Sequence, residues 1–169
     1  MKHLIIAGLS VVLLGAGCSG KISDTITEKV IEKSTGGQVD IDSGKDKVTF
    51  TDTKSGSSLT FGEGLKLPDD FPKDVPIYPG SRVKGIIDVK QEGQGLNVTL
   101  ESSDAFAQVK DWYAAEFKKG GWPEEASYLT EGSIMRTYTK DKVSMNVVLS
   151  EKNDESRGTA VIITRGENM

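Results

Sequence analysis

Histidine and cysteine are almost missing from this chain, and each occurs once, near the start, as His3 and Cys18. A lone cysteine forms no intrachain disulfide, so hydrophobic burial must stabilise the fold unaided. Beyond residue 18 there is no set of ligands for a zinc site of the usual kind. The commonest general base and the most nucleophilic side chain are missing there too. Long apolar runs are also lacking: the one at residues 4–16 falls well short of the ~20 residues that span a bilayer. Basic residues form no cluster large enough to mark a nucleic-acid surface. The balance is acidic, with 25 Asp and Glu against 21 Lys and Arg, which argues against adhesion to anionic lipid by charge.

What the start does contain is an address. Lys2 supplies a positive charge, residues 4–16 an uncharged apolar core, and Gly15-Ala16-Gly17 a small-residue exit. These are the parts of a secretory signal peptide. A cysteine directly after the small residues resembles the lipobox of bacterial lipoproteins, in which lipid is attached to the thiol and the chain is cut just before it. Leu14 stands four residues before Cys18, where that motif usually has Leu three before. The plain alternative is an ordinary signal peptide followed by an unrelated cysteine. The resemblance implies a signal peptide over residues 1–17, palmitate-type lipidation at Cys18, and an extracytoplasmic protein anchored in the cell membrane or outer membrane. A mature chain of that kind would keep neither His3 nor a free thiol.

Residues 19–24 read as a short tether. Thr25 and Glu28 have the spacing of a capping box, and Ile22, Ile26 and Val30 recur every four residues, so a helix is expected before Gly36-Gly37. Its apolar stripe suits a partner helix, a membrane surface or the protein's own sheet. Val39 and Ile41, then Val48 and Phe50, alternate with polar residues around a turn at 43–46, which predicts a hairpin. Leu59 and Phe61 suggest a third strand. Pro68, Pro72, Pro76 and Pro79 then force residues 65–80 to be extended. Such a segment could serve as a polyproline ligand. The interleaved Leu67, Phe71, Val75, Ile77 and Tyr78 point instead to a strap packed across the fold.

After Gly80 the periodicity is clearer. Val83, Ile87 and Val89 mark one strand, and Leu96, Val98 and Leu100 another, with residues 92–95 as the turn. Residues 104–119 read as a helix, capped by Ser103 or Asp104 and ended by Gly120-Gly121. Phe106, Val109, Tyr113 and Phe117 share one face of it, with Trp112 at the edge. Three strands are expected to follow, within 127–139, 143–149 and 159–164. The fold class is therefore α+β: an antiparallel sheet with a packed helix, ordered β-β-α-β-β-β. A helix-plus-hairpin unit (18–64) and the strap (65–80) precede this C-terminal domain (81–169). Pro76-Ile-Tyr-Pro-Gly80, the two strands, and the run from Trp112-Tyr113 through Phe117 to Gly121-Trp122 resemble a family of small bacterial envelope proteins and lipoproteins. The resemblance implies a fold and an envelope location, and it transfers no functional residue.

The remaining motifs are weak. Asp40, Asp42 and Asp46 are spaced like calcium ligands, but Lys45 and Thr51 stand where an EF-hand needs Gly and Glu. Ser81 and Lys84 match S-x-x-K without the companion motifs of penicillin-binding enzymes. Gly62-Glu63-Gly64 lacks the rest of a dinucleotide loop. Asp69-Asp70 and Glu124-Glu125 are adjacent acids, with nothing to set two of them across a cleft. Trp112 and Trp122 could stack on a sugar or peptide, or simply pack in the core or at a helix end. The sequence thus predicts a non-enzymatic protein without metal or cofactor. It would hold the membrane through lipid, bind an envelope partner rather than nucleic acid, and have a small-ligand or glycan-binding module as the alternative.

Overall fold

Alternation of apolar and polar residues over most of the chain resolves into one antiparallel sheet. A computed structural model describes residues 38–42, 47–90, 95–152 and 157–167. The signal peptide, Cys18, the tether, the first helix and the turn at 43–46 lie outside the described residues, as do residues 92–94 of the second turn. The strands are β1 (Gln38–Asp42), β2 (Lys47–Thr51), β3 (Ser58–Leu65), β4 (Arg82–Val89), β5 (Gly95–Ser102), β6 (Glu124–Thr130), β7 (Ser133–Lys140), β8 (Val143–Glu151) and β9 (Thr159–Glu167). Helix α1 (Phe106–Lys119) lies between β5 and β6. The sheet order is β1-β2-β3-β4-β5-β9-β8-β7-β6. From β5 the chain therefore passes through α1 to the far edge and returns strand by strand until β9 pairs with β5.

The class is α+β, dominated by the sheet. The expected order β-β-α-β-β-β is corrected to β-β-α-β-β-β-β. The segment read as one strand within 127–139 is a hairpin, β6 and β7, turning at Glu131-Gly132 with Gly132 at φ 72°. That positive φ suits glycine and makes a tight reversal. The sheet is also continuous across residues 64/65, since β3 pairs with β4 from Ser58↔Asp88 to Leu65↔Val83.

The core lies between α1, the strap and strands β4, β5 and β7 to β9. Val109, Tyr113 and Phe117 of α1 are buried, and Phe106 and Trp112 pack at the margin. Phe117 is fully enclosed and stacks on Tyr138 at 3.9 Å and 5°; burying a side chain of that size contributes ~1.5–3 kcal/mol. Val98, Leu100, Met145, Val147, Leu149, Val161 and Ile163 close the sheet side. The prolines hold residues 65–80 as a strap, with Val75 and Tyr78 in the core. Arg165 of β9 ties it down through Asp74 at 3.2 Å.

Both ends of α1 follow from local chemistry. The expected caps are corrected: Ala105 is the N-cap and no side chain caps the helix. The Asp104 carboxylate is occupied by the Tyr78 hydroxyl, which donates to it at 2.6 Å. At the C-terminus Trp122 N–H donates to Phe117 C=O at 2.9 Å and Gly121 N–H to Lys118 C=O at 3.1 Å. Gly121 sits at φ 69°, so the end is a Schellman motif.

Candidate interaction surface

Because successive side chains in a strand point to opposite faces, register separates the residues under α1 from those on the open face. One row across the sheet runs Thr49, Thr60, Ile86, Val98, Ile163, Val147 and Arg136. This is the α1 side, and it is buried from Ile86 through Val147. The next row runs Val48, Phe61, Gly85, Thr99, Ile162, Val148, Met135 and Tyr128. It lies on the face that no described helix covers. Tyr128 is 66% exposed, Met135 45%, Phe61 45% and Ile162 39%. Large apolar side chains aligned on one open face are the usual mark of a surface that binds something.

The neighbouring open-face row changes character along the sheet. On β2 to β4 it carries Phe50, Leu59 and Ile87, and on β5 to β7 it carries Asn97, Thr164, Asn146 and Thr137. Asn97 Nδ2 donates to Thr164 Oγ1 at 2.8 Å, and Thr137 Oγ1 to Asn146 Oδ1 at 2.8 Å. At one end of the face, Glu101 meets Lys152 at 3.0 Å, Lys84 at 3.8 Å and Arg82 at 3.9 Å. Lys84 also bonds Glu63, and that hydrogen bond holds the Glu63 carboxyl below its ordinary range. The open face is therefore apolar in the middle, with a charged end and a patch of paired amides and hydroxyls.

The residues singled out by sequence fall elsewhere. Cys18 lies outside the described residues. Trp122 is buried against Phe117 at 6.1 Å, edge to face, with the Lys140 ammonium 5.8 Å from its ring. Trp112 edge-packs on Tyr78 at 5.2 Å and Tyr113 at 4.9 Å. Both indoles thus serve core contacts. Lys84 is engaged by Glu63 and Glu101, while the Ser81 hydroxyl is buried with no hydrogen-bond partner among the described residues. Gly62 and Gly64 lie in β3, where the register shifts between Phe61 and Leu65, so they form a bulge rather than a phosphate loop. Glu124 pairs with Arg136 at 3.4 Å. Asp70 lines a cleft of about 130 Å³ between the strap and β4–β5. Among the described residues no three of His, Cys, Asp or Glu are grouped to hold a metal ion, and no helix is long and apolar enough to cross a membrane.

Sequence reasoning missed the row from Phe61 to Tyr128. Single-strand alternation shows which residues share a strand face, but only pairing shows that seven strands align them. One signal was readable: Tyr128-Leu129 places two large apolar residues side by side, so a strand there cannot bury both.

Comparison with curated proteins gives no match, and neither does comparison with solved structures. The chain is similar over residues 83–158, from β4 to the residue before β9, to a family described as START domain-like.

Proposed function

We propose that this chain is a membrane-anchored lipoprotein whose extracytoplasmic α+β domain binds an envelope protein through its open sheet face, without catalysing a reaction. The observation that carries the reading is the aligned, half-exposed row Tyr128, Met135 and Ile162 opposite α1. Lipid on Cys18 places the domain at the cell membrane or outer membrane. That anchor holds stably with two or more acyl chains, at ~0.8 kcal/mol per buried methylene, since one chain binds only marginally. The small-ligand or glycan alternative draws no support from the tryptophans, which are committed to core contacts.

Fractionation and capture test the two halves separately. Cys18→Ser should move the protein from the membrane to the soluble fraction, and retention at wild-type levels would overturn the anchor. A membrane protein captured by the intact chain should be lost with Met135→Lys, a change at a site that is 45% exposed. Equal capture by the substituted protein would overturn the assignment of the face.

A further inference from the structure

We infer that residues 22–31 of this chain dock on the open face of β2–β4 and cover its apolar patch. The argument begins with a reversal of polarity along the sheet. From β4 onward the buried apolar residues face α1, Ile86 and Val98 among them, while Ile162, Val148 and Met135 line the open face. On β2 and β3 the α1 side carries Thr49 and Thr60, whose hydroxyls meet at 3.3 Å. The apolar residues Val48, Phe50, Leu59 and Phe61 stand on the opposite face. In β1 the backbone register pairs Ile41 with Val48 and Val39 with Phe50. This part of the sheet extends the open-face row but has no partner among the described elements. The Phe61 ring lies across Gly85, so close that a Cβ there would meet it at 2.8 Å.

The length and end point of the preceding chain identify the occupant. β1 is the edge strand, and its first residue, Gln38, directly follows Gly36-Gly37. Two glycines let a chain reverse sharply, so the residues before them can return over the face they have just left. The ten residues Ile22 to Ile31 would make a helix of about 15 Å. A five-residue strand such as β1 or β2 extends ~17 Å, so the two lengths match. Ile22, Ile26 and Val30 supply the apolar stripe, and Glu28 and Lys29 keep its other side polar. A second copy of the chain would meet the same patch but needs no such length match. Docking would leave only residues 19–21 between the anchor proposed at Cys18 and the domain, holding the sheet close to the bilayer.

Cross-linking in the full-length Cys18→Ser chain tests this without any lipid, so its failure would leave the proposed anchor standing. Val30→Cys with Phe61→Cys should oxidise to a disulfide within one molecule, whereas Val30→Cys with Tyr128→Cys, at the far edge, should not. Disulfides only between molecules would assign the patch to a second copy and overturn the inference. Should that pair fail to fold, labelling of Phe61→Cys alone decides. Deleting residues 19–37 should raise its rate at least about tenfold by removing local protection. An unchanged rate would overturn the inference.

Discussion

Tyr78 joins three parts of the molecule through one side chain. Its amide donates to the Tyr113 hydroxyl at 3.3 Å, its hydroxyl donates to Asp104, and Gln108 Nε2 donates back to that oxygen at 3.0 Å. The bond to Asp104, then burial, raises the Tyr78 phenol above its ordinary pKa. Burial also raises the phenols of Tyr113 and Tyr138. The folded protein thus keeps protons that the unfolded chain releases near pH ~10. With fewer protons bound in the unfolded state, stability must fall as pH rises. The contribution is fully present below the unfolded value and is lost as pH climbs through the folded ones. Urea melts at increasing alkaline pH should show a declining midpoint, with a shallower decline in Tyr113→Phe. A midpoint flat through the alkaline range would mean that these phenols are not held protonated by the fold.

At the scale of elements, the start of β9 depends on one residue. Gly158 sits at φ 111° just before it, and a Cβ there would collide with the Ser102 carbonyl oxygen and lie 3.0 Å from the Ser103 Cα. Neither neighbour is the end of a flexible side chain, so the backbone itself would have to move. Gly158→Ala should cost on the order of 2 kcal/mol or more in a denaturant melt. Loss of hydrogen-exchange protection should concentrate in the pairs β5–β9 and β8–β9, and a loss under ~0.5 kcal/mol, ordinary for a surface change, would refute the close approach. The sequence showed the elements themselves well where periodicity was long. Val109, Tyr113 and Phe117 form the buried face of α1 as their spacing implied, and Gly120-Gly121 end it. It failed where two short elements adjoined, because β6 and β7 are separated by only Glu131 and Gly132. It failed also at Asp104, whose capping potential is spent on a tyrosine 26 residues away. The aligned open face was illegible for the same reason: register is a property of pairs of strands.

At the scale of the whole molecule, the sheet is one but its core is not spread evenly along it. Every buried hydrophobic side chain among the described residues comes from Val75 or later. Strands β2 and β3 instead extend the sheet with half-buried or exposed residues. β3 holds β4 by backbone pairing and by Phe61 lying over Gly85, contacts made at the margin of the core. Folding free energy comes mainly from apolar burial, so the determinants of stability should reside in the strap and everything after it. A fragment of residues 65–169 should therefore unfold in a single cooperative transition and keep the near-ultraviolet signal of its packed aromatic rings. The strap must stay in it, because removal of Val75 and Tyr78 would open the core beside Tyr113. Residues 18–64 alone should give no cooperative transition: even with residues 22–31 docked, the patch lacks β4 and the Gly85 seat of Phe61, and a unit this small buries too little to be stable unaided. Circular dichroism melts of the two fragments check both statements. A cooperative transition in 18–64, or a fragment 65–169 without fixed aromatic signals, would show that the first three strands are structural partners of the core rather than an extension that presents a face.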